Sequence, residues 1–111
     1  MLTEKDYCDY DTCVALKELG YDDSTDLRYN SYGSLGDFLG GIKAPTLYEA
    51  QKFLREEHDL HIEVRWYCNM WYEYEVKEAE GKVVAEGSAF PTYEEALSTA
   101  VYMATEHLKA K

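Results

Sequence analysis

The stretch HIEVRWYCNMWYEYEVK, residues 61–77, decides how the chain is built. In its first arm Ile62, Val64 and Trp66 alternate with Glu63 and Arg65. In its second arm Tyr72, Tyr74 and Val76 alternate with Glu73, Glu75 and Lys77. An apolar–polar period of two among aromatic and β-branched residues marks strands with one buried face. CNM at 68–70 supplies the turn between the arms. A third alternating run, KVVAEGSAF at 82–90, puts Val83, Ala85 and Ala89 on one face. The turn before it is EGK at 80–82, where Gly81 is free to take a positive φ. The expectation over 60–90 is a three-stranded antiparallel meander with one side on a core and one side in water.

Working outward, PTLYEA at 45–50 precedes this region and PTYEEA at 91–96 follows it. They contain the chain's 2 prolines. In each, threonine is placed to accept the N–H of the glutamate three residues on, while that glutamate reaches back to the threonine N–H, a capping box. Proline just outside blocks backward extension of the helix. Leu47, Ala50, Phe53 and Leu54 then give the stripe of a helix over 45–58. Ala96, Leu97, Ala100, Val101, Ala104 and Leu108 do so over 91–110, with alanines that let the helix lie close on a sheet. In the N-terminal helix region, 1–20, Asp9 or Asp11 can cap a helix ending at Leu19. Gly20 is placed to close it. Residues 21–44 contain DDSTD, NSYGS and GDFLGG and read as an irregular loop, with room for short strands near Leu27–Tyr29 and Ile42–Ala44. The fold expected is a single α+β domain over 1–111: a β-β-β-α unit, preceded by two helices and a long loop.

Charge narrows the functions. The chain carries 22 acidic and 11 basic residues, a net charge of −11. Such a field repels phosphate backbones and anionic lipids, and it suits a basic protein partner. No apolar run approaches the roughly 18 residues of a membrane span. MLTEKDYCDYD lacks the apolar centre of a secretion leader. These features point to the cytoplasm and away from membranes. Cys8, Cys13 and Cys68 form no C-x-x-C pair and are expected as free, buried thiols.

No catalytic constellation, metal site or cofactor motif stands out, and the chain reads as a non-enzyme. GSLGDFLGGIK lacks the G-K-[ST] ending of a phosphate loop. DDSTD, counted from Asp22, has Leu27 where a calcium loop needs glycine. His58 and His61 are three apart, but a zinc site needs at least three converging ligands; the histidines are expected in solvent. The informative excess is 11 tyrosines. With Trp71 on the polar side of its strand, it suggests an exposed aromatic surface for a protein partner or a second copy of the chain. Tyr67, Trp71, Glu73 and Glu75 are the candidate partner-binding residues.

APTLYEAQKFLREEHDLHIEV at 44–64 and TYEEALSTAVYMATEHL at 92–108 resemble an uncharacterised family of short proteins encoded by gut Bacteroidetes, their phages and their mobile elements. Tyr48 and Phe53 hold aromatic positions that are often tryptophan in that family. TCVALKELG, Thr12–Gly20, resembles its N-terminal helix. The likeness covers most of the chain except 21–43 and implies no activity. Three strands followed by T-Y-E-E-A and a helix also resemble the arm-site DNA-binding domain of phage tyrosine integrases. That likeness implies nucleic-acid binding by the outer sheet face. The charge argues otherwise: Glu63, Glu73, Glu75 and Glu86 stand there against Arg65 and Lys77, the wrong sign for phosphates.

Overall fold

The computed structural model describes residues 2–68 and 70–111. A 3-10 turn at Glu4–Asp6 leads into α1 (Tyr10–Glu18). Three short strands follow, β1 (Leu27–Tyr29), β2 (Leu35–Gly36) and β3 (Ile42–Ala44). Then come α2 (Leu47–His58), β4 (Leu60–Trp66), β5 (Tyr72–Glu78), β6 (Val83–Phe90) and α3 (Tyr93–Lys109). The class is α+β, but the architecture corrects the expectation of one β-β-β-α unit. The described residues form two three-stranded antiparallel sheets, ordered β2-β1-β3 and β4-β5-β6. Residues 21–44 carry the whole first sheet: the short strands expected near Leu27–Tyr29 and Ile42–Ala44 form as β1 and β3, while β2 and the pairing of the three correct the expectation of an irregular loop. Its strands are two or three residues long. That is too short to show a period of two, and turn-rich sequence surrounds them.

Glycine makes this small sheet possible at one point. Gly41 has φ +93°, and a Cβ there would lie 2.1 Å from the Tyr29 carbonyl oxygen. Only glycine allows the chain to pass β1 so closely before entering β3. Leu27 faces Ala44 and Tyr29 faces Ile42 across β1 and β3. Tyr29 and Ala44 are buried, and the Tyr29 hydroxyl donates to the Cys8 carbonyl at 2.8 Å.

The helices start and stop as their residues dictate. Asp9 caps α1, its Oδ1 accepting from Thr12 N at 2.9 Å. Gly20, at φ +103°, closes α1, with Gly20 N donating to Lys17 O and Tyr21 N to Leu16 O. Thr46 and Glu49 form the full capping box of α2. At α3, Thr92 accepts from Glu95 N, but the reciprocal bond from Thr92 N is absent.

The second sheet is a meander. Ile62 faces Val76 and Val64 faces Tyr74 on its inner side. Gly81, at φ +89°, turns β5 into β6. Asn69, in the turn expected at 68–70, lies outside the described residues. In β6 the expected face of Val83, Ala85 and Ala89 does not form. Register shifts leave β6 one extra residue opposite Tyr72–Tyr74 and one opposite Val76–Lys77. Each bulge reverses the alternation, so Val84, Ala85 and Phe90 pack on the core while Val83 and Ala89 are exposed. Bulges on an edge strand also discourage a further strand from pairing there.

One core joins the layers. Helix α3 lies on β4, β5 and β6, with α2 packed beside it on β4 and α1 on α3 and β3. Ala96, Ala100 and Ala104 are fully buried, the close approach their size allows. Leu16, Leu54, Leu60, Val76 and Val101 are also fully buried. Burying each such side chain is worth about 1.5–3 kcal/mol.

Candidate interaction surface

The outward face of the second sheet is set by register. Glu63 lies opposite Glu75, Arg65 opposite Glu73, and Glu75 opposite Glu86. Two like-charge pairs directly across a ladder are unfavourable unless something bridges them. Arg65 does so. Its Nη1 donates to Glu63 at 2.5 Å and to Glu75 at 2.9 Å, and its Nε donates to Glu73 at 3.1 Å. Lys77 adds longer pairs to Glu75 at 3.5 Å and Glu63 at 3.8 Å. Hydrogen bonding to Arg65 holds the Glu63 and Glu75 carboxyls below their ordinary value, and the three carboxylates push the Arg65 pKa up. The sign follows. Whatever stability these pairs contribute is present above the ordinary carboxyl range and is lost as pH falls through the lowered values. The groups are solvated, so the contribution is small.

Two of the candidate residues, Glu73 and Glu75, are therefore held by their own sheet. Glu86 is exposed and, among the described residues, has no ion pair. The other two, Tyr67 and Trp71, belong to the hairpin end. Trp71 falls just outside β5 and closes the turn: Tyr67 N donates to Trp71 O, and Trp71 N to Cys68 O, both at 3.0 Å. Met70 sits in the turn at φ +67° and is largely exposed. That left-handed conformation costs a non-glycine residue about 1–2 kcal/mol.

The alternation alone did not reveal how open this end is. Trp66 follows the inward period of β4, opposite Tyr72, yet it is 61% exposed because it is the strand's last residue. Tyr93, in the first turn of α3, is exposed and meets Tyr72 edge-on at 6.0 Å. Trp66, Met70, Trp71 and Tyr93 thus expose aromatic and thioether surface beside a carboxylate-rich sheet face.

Among the tyrosines, Tyr21, Tyr29 and Tyr74 are buried in the core. The histidines depart from expectation. His61 is exposed beside Asp59, but His58 is half-buried, its Nε2 3.1 Å from Leu19 O and its ring edge-on to Phe53. His107 is half-buried too, and its Nε2 has no hydrogen-bond partner among the described residues. Cys8 and Cys13 are free and buried, whereas Cys68 is exposed. Hydrogen bonding with Cys13 and burial push the Cys8 thiol well up, so it is no nucleophile near neutrality.

Among the described residues, no three His, Cys, Asp or Glu side chains gather to hold a metal ion, and no helix is long and apolar enough to cross a membrane. Compared with known proteins, the chain matches no family model, no curated protein and no solved structure.

Proposed function

We propose that this chain is a small accessory protein without catalytic activity, and that it binds a basic protein through the β4–β5 hairpin end and the carboxylates beside it. The observation that carries the reading is the pair of exposed tryptophans at one hairpin end, Trp66 at 61% and Trp71 at 40%. Tryptophan and tyrosine dominate binding hot spots because they offer large, rigid area at low entropic cost. The strained Met70 backbone adds support, since such conformations cluster where a surface has work to do. The sheet face, with four carboxylates against Arg65 and Lys77, favours a cationic partner over nucleic acid. We place the protein in the cytoplasm and, from the resemblance of 44–64 and 92–108, in a phage or mobile element.

The test is a quantitative pull-down from host extract with wild type, Trp66→Ala and Trp71→Ala. Both positions are solvent-exposed, so both variants should keep the wild-type circular dichroism and melting temperature. A basic protein retained by wild type at low salt, and reduced about tenfold or more by Trp71→Ala, is expected. Identical recovery by Trp71→Ala overturns the reading. Dimerisation of the chain, lost in the same variant, would replace the foreign partner with a second copy.

A further inference from the structure

The chain's cations are few, and three of them converge. Between the last turn of α1 and the outward side of the first sheet lies a cavity of about 220 Å³, lined by Lys17, Arg28, Lys43, Asp22, Tyr21, Cys13 and Gly41. Arg28 and Lys43 sit directly opposite one another on β1 and β3. Like charges so placed repel, and nothing in the sheet requires them. On the meander the equivalent problem is solved internally by Arg65; here it is not. Arg28 has no carboxylate partner among the described residues, and its one side-chain contact is a long 3.5 Å approach to Gly41 O. Lys43 reaches Asp22 O at 2.8 Å and Asp22 Oδ1 at 3.3 Å, but that carboxylate is 96% exposed and well screened. Lys17 makes no ion pair among the described residues.

Three cations against one carboxylate leave a charge of +2 around a small cavity in a chain of net charge −11. The C-terminal end of α1 opposes an anion there through its carbonyl dipoles. That opposition is blunted, because Leu19 N, Gly20 N and Tyr21 N already occupy the last carbonyls. Buried Tyr21 and Cys13 form an apolar floor, and Gly41, which cannot be replaced, fixes the rim. A planar guanidinium beside two ammonium groups is the donor set that recognises a phosphate.

We propose that this cavity binds a small dianionic oxyanion of the phosphate-monoester class, held by Arg28, Lys43 and Lys17. The site is separate from the hairpin end and does not depend on it.

Inorganic phosphate is the probe, titrated through the millimolar range at constant ionic strength and followed by amide chemical shifts. Saturable shifts at Lys17, Arg28, Gly41 and Lys43 are expected, with chloride producing none. Arg28→Gln and Lys43→Gln should weaken binding about tenfold, the loss of one charge-assisted contact. Lys17→Gln should weaken it severalfold. Lys82→Gln, an equal charge change in the β5–β6 turn, should leave it unaltered. Lys17 is exposed on α1, so its variant decides the matter if Arg28→Gln fails to fold. The proposal is overturned by linear shifts shared with chloride, by shifts mapping elsewhere, or by Lys82→Gln weakening binding as much as Lys17→Gln. Tighter binding of malonate than of phosphate would overturn the phosphate-monoester class.

Discussion

Pro45–Ala50 and Pro91–Ala96 carry the same P-T-x-x-E-A frame in two different settings. Pro45 is fully buried, and its carbonyl accepts from Cys8 N at 3.0 Å. Thr46 is bridged to Tyr7 of the N-terminal segment. Thr46 N donates to Glu49 Oε1 at 2.8 Å and Glu49 N donates to Thr46 Oγ1 at 3.1 Å. Pro91 and Thr92 are exposed, and only the bond from Glu95 N to Thr92 Oγ1 remains. Backbone rotation explains the loss. Thr46 has φ −66° and Thr92 has φ −134°, which swings the Thr92 N–H away from Glu95. Ala50 and Ala96 are nonetheless both fully buried. The frame starts a helix and aims its first alanine inward in both places; how much each remaining residue contributes depends on what surrounds it.

The prolines should separate the copies most. Pro45→Ala removes buried ring methylenes and adds freedom to the unfolded chain, a loss of about 2 kcal/mol. Pro91→Ala removes exposed atoms only and should cost about 0.5 kcal/mol. Urea denaturation of the two variants measures both. Equal losses would show that the enclosure of Pro45 has no energetic consequence. The threonines come next. Thr46→Ala should cost about 1.5 kcal/mol, since a part-buried N–H loses its acceptor, while Thr92→Ala should cost about 0.7 kcal/mol because water replaces the hydroxyl. Thermal melts of the pair at fixed pH check the order, and a reversed order would break the comparison.

The same contrast between local code and surroundings explains what could be read without coordinates. Helix starts are written in a few adjacent residues, so Thr46 and Thr92 were legible as caps, and Asp9 as one of two candidates with Asp11. The β4–β5 pairing was legible because seven residues of strict alternation fix a face. β6 was misread at Val83 and Ala89 because bulges arise from pairing with Tyr72–Tyr74 and Val76–Lys77, a relation between strands that no local pattern carries. In the first sheet, β1 and β3 were legible as short strands, but β2 and the pairing of the three were hidden for a related reason. Gly36 and Gly41 look like loop breakers, and only the approach of Tyr29 O shows why Gly41 belongs beside a strand. At the candidate surface, the carboxylate-rich outer face followed from alternation. The openness of Trp66 did not, since it depends on where the strand ends. The convergence of Lys17, Arg28 and Lys43 depends on how α1 packs near β3, a long-range contact between residues far apart in sequence.

The glutamates give the smallest difference and the sharpest test of the capping argument. Glu49→Ala breaks the reciprocal bond to Thr46 N and leaves a part-buried donor unpaired, so it should cost about 1 kcal/mol. Glu95→Ala removes no hydrogen bond and loses only the favourable placement of a negative charge at a helix N-terminus, about 0.3 kcal/mol. A double-mutant cycle isolates the geometry from the charge. Thr46→Ala with Glu49→Ala should fall short of the sum of the single losses, because either change alone disrupts the box. Thr92→Ala with Glu95→Ala should be additive, because no side-chain bond joins that pair in return. Added salt should shrink the Glu95 effect and spare most of the Glu49 effect, since salt screens a helix-end charge but not a hydrogen bond. Coupling at Thr92–Glu95 equal to that at Thr46–Glu49 would mean that the second box closes in solution, and that the rotated Thr92 N–H is not what distinguishes the two helix starts.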